Sequence, residues 1–303
     1  MVLITSPYNV TKTLVCLQNR SRVSERKMSG AGTPDFFYRE AQRLGYVARS
    51  AFKLLQIQKQ HKLITQGSSV LDLGCAPGAW LQVACQSLGP LKNGGTVVGI
   101  DLKVCSSPAL CISEQKVKVP PLYCDARVHT VCADVMKLPK NQVRALSPLH
   151  KGFSVVLSDM CPLVSGITTR DAALSAELGM QALDLAVGRA AATHLDVDDI
   201  RTDRQLNDSV CAADDNGILQ PGGHLVIKLL ESEDNKGGNM FMEQIRVDVM
   251  TVHFLLPFNC LPFCLAEFSR VCKPLFRKAS WLRPKATRSS SREIYLICQG
   301  LRS

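Results

Sequence analysis

The residues of this 303-residue chain that could do chemistry stand at the ends of apolar runs. Val70–Leu73, Thr96–Asp101, Val128–Ala133, Phe153–Ser158 and His224–Leu230 each read as a short strand. Their carboxyl ends deliver Asp72–Trp80, Asp101, Asp134, Asp159 and Lys228. Four of these five places hold an acid and the fifth a lysine, an uncommon pattern for apolar strands. The plainer reading of each is a surface residue in a salt bridge. That reading is weakest for Lys228, because it closes an apolar strand.

Leu71-Asp72-Leu73-Gly74-Cys75-Ala76-Pro77-Gly78-Ala79-Trp80 follows a strand and opens a helix. Gly74 and Gly78 let the backbone pass close to a ligand. A third spaced glycine is missing, which argues against the G-x-G-x-x-G dinucleotide fingerprint. A cofactor without a pyrophosphate needs no helix amides aimed at phosphate. S-adenosylmethionine, with an amino acid end, a ribose and an adenine, suits the turn; Gly74, Pro77, Gly78 and Trp80 are its expected lining. Asp101 is placed to accept from the ribose hydroxyls and Asp134 from the adenine amino group.

Elements must position these groups. Residues 36–63 read as two helical pieces broken near Gly45, with Ser50 as a cap. Ala79–Leu88, Lys137–Leu146 and Asp171–His194 read as helices, Ile294–Cys298 as the last strand, and 103–127 as irregular. Strands alternating with helices at this spacing predict an α/β fold with one doubly wound, mostly parallel sheet, whose site lies outside the carboxyl ends of its strands.

Five ordered motifs then carry a resemblance. Arg49-Ser50-Ala51-Phe52-Lys53-Leu54, Asp72–Trp80, Ser158-Asp159-Met160-Cys161-Pro162, Pro221-Gly222-Gly223 leading to Val226-Ile227-Lys228, and Ser291-Arg292-Glu293-Ile294-Tyr295 together resemble the FtsJ-type ribose 2′-O-methyltransferases. The likeness covers residues 35–300 apart from two interruptions. It implies a Rossmann-like S-adenosylmethionine-dependent methyltransferase with a Lys-Asp-Lys-Glu tetrad. Matched motif by motif, the tetrad is Lys53, Asp159, Lys228 and Glu293. A ribose 2′-hydroxyl is a poor nucleophile and the methyl donor is already an activated sulfonium. The reaction therefore needs alignment and a base, and no metal. Lys228 is the expected base, its pKa lowered by burial and by the Lys53 ammonium. Asp159 would orient Lys228 and shield the sulfonium; Glu293 would hold Lys53 or the ribose.

The tetrad also occurs in enzymes of messenger RNA caps and transfer RNA. Ser158-Asp159-Met160 and Ser291–Tyr295 look like the bacterial and organellar large-subunit ribosomal RNA branch, whereas Tyr38-Arg39-Glu40-Ala41 and Gly45-Tyr46 suit the transfer-RNA branch too. A ribosome-assembly factor that binds RNA without catalysis is a further class; an intact tetrad speaks against it. Cys161 stands where the family has Ala, and Leu163 where it has Asn, so the departure falls on substrate fit.

Composition agrees with an RNA partner, ribosomal RNA or a pre-ribosomal particle. The net charge is +10. Residues 268–303 carry nine Lys/Arg and one acid, Glu293. Such a basic end suits a polyanion, or equally a solvated surface; Arg283, Lys285, Arg288 and Arg292 are candidate phosphate contacts. The 13 cysteines form no C-x-x-C pair, against a zinc site or disulfide framework. No run of 18 uninterrupted apolar residues exists, so no membrane span is expected. A monomer is expected. The first 24 residues hold Lys12, Arg20 and Arg22 but no acid, a transit-like composition pointing to a mitochondrion or plastid; otherwise nucleus or cytoplasm follows. Met28 is a second candidate for the initiating residue. Residues 1–34 are expected to be a disordered or transit-like segment ahead of a methyltransferase domain over 35–303.

Two stretches interrupt that domain. Residues 195–216 are acidic and aperiodic, and read as a disordered loop. Residues 246–267 are apolar after Arg246, with two prolines. Removing them joins Met242–Ile245 to Phe268-Ser269-Arg270 in an amphipathic helix, as expected of a translated intron; a membrane-touching hairpin is the other reading.

Overall fold

The computed structural model describes residues 35–102, 118–188, 216–232 and 265–303. The interruption at 195–215, most of that at 246–267 and the first 34 residues lie outside them. The elements run α1 Phe36–Leu44, α2 Ala51–His61, β1 Ser69–Leu73, α3 Ala79–Ser87, β2 Thr96–Asp101, β3 Val128–Cys132, α4 Lys140–Ala145, β4 Phe153–Ser158, α5 Thr168–Val187, β5 Leu219–Leu230, α6 Leu265–Leu275, β6 Phe276–Leu282 and β7 Glu293–Leu301. One seven-stranded sheet has the order β3-β2-β1-β4-β5-β7-β6. Strands β3, β2, β1, β4 and β5 are mutually parallel, and β7 runs antiparallel to both neighbours. The mostly parallel sheet expected from the alternation is present. The order reverses from β1: β2 lies on one side and β4 on the other, so the carboxyl ends of β1 and β4 flank the switch point.

Each face of the sheet is covered. Leu71, Leu73, Val98, Ile100, Val156 and Leu225 pack with α5 and α6. Val70, Val97, Val155, Leu157 and Val226 pack with α1, α2 and α3. Alternation along each strand thus splits the apolar residues between two layers.

Local chemistry sets the ends. Asp35 caps α1 by accepting from Tyr38 N at 2.8 Å, and Gly45, at φ +80°, closes it. Ser50 precedes α2, but its hydroxyl makes no capping bond; its carbonyl accepts from Trp80 Nε1 at 3.0 Å. Helix α5 starts three residues before the expected Asp171 and is described to Val187. Pro221–Gly223, just ahead of the expected strand His224–Leu230, lies within β5 as an irregularity: Phe153 faces Leu219, and Val155 next faces His224.

Helix α6 overlaps the amphipathic helix expected at Phe268–Arg270, whereas strand β6 was not expected. Helix α6 begins at Leu265, so the proposed splice boundary at Glu267 falls inside it; Phe268, Val271, Cys272 and Leu275 form its buried face. Strand β6 forms the sheet's far edge. Two successive exposed basic residues, Arg277 and Lys278, break the alternation that would have marked it.

Candidate active site

Strand β1 runs into the turn that opens α3. Gly74 N donates to Ile100 O at 2.8 Å, and Gly78 N to Cys75 O at 2.6 Å. Gly74 has φ +77°, and a Cβ there would lie 2.9–3.0 Å from the backbone and side chain of Met160. The turn is therefore pressed against the residue that follows Asp159, and only glycine allows that approach. Asp101 Oδ2 accepts from Ala76 N at 2.9 Å, tying the end of β2 to the same turn. Asp134 accepts from Met136 N at 3.0 Å just past the end of β3. Pro77 is exposed on the turn, after a cis Ala76–Pro77 bond. Trp80, expected on the cofactor's side, is turned into the core, with its ring 5.9 Å from that of Tyr295. There it anchors the start of α2, which carries Lys53.

Asp72, given no role of its own in the sequence reading, is completely buried, and neither of its carboxylate oxygens has a hydrogen-bond partner among the described residues. Burial first, then Asp159 and Asp101, raise its pKa well above the usual carboxylate range. Three acids from adjacent strand ends thus lie close enough to feel one another. The signal was legible: an acid inside an otherwise apolar strand, one residue before the turn.

The four residues of the expected tetrad come together from four elements. Lys53 Nζ lies 2.6 Å from Glu293 Oε2. Lys228 Nζ donates to Asp159 O at 2.5 Å and lies 3.1 Å from Asp159 Oδ1. Lys228 faces Tyr295 across the β5–β7 ladder. Tyr295, buried, donates its hydroxyl to Asp159 Oδ1 at 2.8 Å, and Lys53 Nζ sits 5.9 Å from the centre of its ring. Tyr295 is a second residue to which the sequence reading gave no role, although it was quoted within a motif. Burial, helped by Asp159 and Glu293, holds its phenol well above the ordinary range, so it remains a donor.

One electrostatic expectation is corrected. Lys228 was expected to have its pKa lowered. Burial does pull it down, but Asp159, Cys161 and Glu293 together outweigh burial and leave it raised. In this state Lys228 is an ammonium, because its close neighbours are acids.

The basic end is also corrected in part. Arg292 bonds Asp171 at 2.9 Å, Arg283 bonds Glu231 at 2.9 Å, and Arg288 reaches Asp35 at 3.3 Å. Of these, Arg292 is committed to a buried acid; Arg283 and Arg288 keep exposed side chains, as does Lys285, whose backbone N donates to Gln56 Oε1.

Known proteins match this arrangement. The FtsJ-like methyltransferase family model matches residues 46–260. "Ribosomal RNA large subunit methyltransferase E" of Desulfosudis oleivorans is 29% identical over 88% of this chain and 91% of its own length. The protein of that name from Syntrophobacter fumaroxidans is 30% identical over 88% of this chain and 96% of its own. A crystal structure from Plasmodium falciparum overlays with a TM-score of 0.48 at 17% identity, over 84% of this chain and 98% of that one. With its family model spanning most of the described sheet, the chain belongs to the FtsJ-like methyltransferase family.

Proposed function

We propose that the chain transfers a methyl group from S-adenosylmethionine to a ribose 2′-hydroxyl of RNA, with ribosomal RNA as the substrate class and Lys228 as general base. The carrying observation is the junction of two buried lysine–acid pairs, Lys228–Asp159 and Lys53–Glu293, beside the acid-lined turn. The relatives' printed names supply the ribosomal RNA.

The residues fit the cofactor's charge. Its ammonium suits the unpartnered Asp72 carboxyl, and Asp101 and Asp159 add acids around a cationic ligand. Gly74, Pro77 and Gly78 would line it, Asp101 would hold its ribose and Asp134 its adenine. Bound there, S-adenosylmethionine supplies an electrophilic methyl on a sulfonium.

The chain's own groups do the rest. When a cation shares Asp159, that carboxylate holds the Lys228 proton less tightly, and the Lys228 pKa falls. Neutral Lys228 Nζ would take the proton of the 2′-hydroxyl, whose oxygen would accept the methyl as the methyl–sulfur bond breaks and leaves a neutral thioether. Tyr295 keeps Asp159 oriented. Lys53, fixed by Glu293, places a positive charge where the hydroxyl oxygen becomes an alkoxide.

Titration calorimetry with S-adenosylmethionine, followed by transfer of labelled methyl to large-subunit ribosomal RNA transcribed without modifications, tests this. Lys228→Ala should bind the cofactor and transfer nothing. Retained turnover in that variant removes Lys228 as base, and cofactor binding without transfer by the wild type favours a non-catalytic assembly factor. The acid-free N-terminus supports action in a mitochondrion or plastid, which a fluorescent fusion checks.

A further inference from the structure

Resting on the reading above, we propose that Asp171 and Arg292 form a positioning pair, which fixes the loop after Asp159 to the start of β7 and so sets how Asp159 and Glu293 face the substrate.

Asp171 lies in the first turn of α5 and is completely buried. Its Oδ1 accepts from both the backbone N and the hydroxyl of Ser165, each at 2.8 Å. Its Oδ2 accepts from Gly166 N at 3.3 Å and from Arg292 Nη2 at 2.9 Å. Arg292 Nη1 donates to Thr168 O at 3.0 Å and to Glu231 O at 3.1 Å. The backbone closes the same knot: Glu231 N donates to Arg292 O at 2.9 Å. One carboxylate and one guanidinium therefore join three segments. They are the loop that begins at Asp159, the end of the strand carrying Lys228, and the residue just before Glu293.

The loop needs such an anchor. Leu163 is 94% exposed, and Val164 and Ile167 also face solvent, so burial contributes little to holding it. The Asp171 carboxylate, buried and met by four donors, is built to stay charged; the Ser165 and Gly166 donors and Arg292 hold its pKa below the usual range. Arg292 is thereby committed inward, toward carbonyls and a buried acid, and acts on Glu293 through its place in the chain.

The test uses the full chain with Arg292→Ala, Asp171→Asn, the double variant and Arg292→Lys. Substrate is the unmodified ribosomal RNA transcript, and rates are corrected for folded fraction. A misplacement of about 1 Å costs about 100-fold in rate. Each single variant should lose about that much in kcat, and the double variant no more than either single, because the two act as one unit. The RNA KM and the cofactor Kd should hold, and Arg292→Lys should recover part of the loss. Hydrogen exchange at Ser165 and Gly166 should speed up in Asp171→Asn, whatever the activity. Additive losses would overturn the pairing. So would a raised KM with kcat intact and a salt slope reduced by about one, which marks a phosphate contact. Unchanged exchange at Ser165 and Gly166 overturns it independently of any RNA assay, and a wild type inert toward RNA overturns the functional reading instead.

Discussion

Replacing Asp72 with Asn should stabilise the cofactor-free protein at neutral pH while weakening cofactor binding. The folded protein holds the Asp72 carboxyl buried, without a partner among the described residues and within reach of the charges of Asp159 and Asp101, so its pKa stands well above that of the unfolded chain. For an acid shifted upward, the folded state binds more protons than the unfolded one, and stability falls as pH rises from the unfolded pKa toward the folded one. Each pH unit in that window costs at most about 1.36 kcal/mol. Asparagine does not titrate there, but its orphaned amide costs about 1–3 kcal/mol. The variant's net advantage is that pH-dependent term less the amide cost, so it is largest at high pH and vanishes in acid. Thermal melts of both proteins from pH 4.5 to 8.5 without cofactor should show an advantage for the variant that grows with pH and fades in acid. Calorimetry should show S-adenosylmethionine binding at least about tenfold weaker in the variant, since a charge-assisted bond is lost. A Tm difference that is the same at every pH would refute the reasoning, because it would mean that Asp72 is equally ionised in both states.

Three further outcomes follow from the same geometry. Because free Lys228 is an ammonium with a raised pKa, kcat/KM should climb through pH 6–10 without a plateau; a plateau near neutrality would show another group acting as base. Gly74→Ala puts a methyl 2.9–3.0 Å from Met160 in a left-handed backbone conformation, and should cost about 1–3 kcal/mol by denaturant titration together with most of the cofactor affinity. Arg127, buried, donates to Asp125 and to the carbonyls of Gly89 and Gly94 at 2.8 and 2.9 Å, so Arg127→Ala, which orphans those carbonyls, should cost about 1–3 kcal/mol in the same measurement while leaving kcat of the folded fraction unchanged.

The strands that carry the site were legible because each is a short apolar run broken by one charged residue at its carboxyl end. Thr96–Asp101 and Phe153–Ser158 have the expected bounds. Such a strand is buried on both faces, so composition alone marks it. Strand β6 was not legible, because an edge strand buries little and can carry Arg277 and Lys278 side by side. The pairings were harder still. Asp171 and Arg292 are 121 residues apart, and Arg288 and Asp35 are 253 apart. A run of arginines reads the same in sequence whether it faces RNA or a buried acid. Only the fold, by bringing a carboxylate beneath each guanidinium, separates the two.

That difference alters the expected basis of RNA affinity. With Arg292 committed to the buried Asp171, phosphate binding would draw on exposed cations such as Arg283, Lys285, Arg288 and Arg170. Asp101 and Asp159 stand on the side proposed for the cofactor, as acids. A cationic cofactor that neutralises those acids would also remove a repulsive field facing the RNA backbone, so the two ligands should bind with positive coupling. The coupling is reciprocal: the factor by which S-adenosylmethionine tightens RNA must equal the factor by which RNA tightens S-adenosylmethionine. The demethylated thioether analogue, which lacks the sulfonium charge, should couple less in proportion to that charge. Equal coupling by charged and neutral ligands would mean that the two sites communicate through the loop after Asp159 and not through the field of the acids.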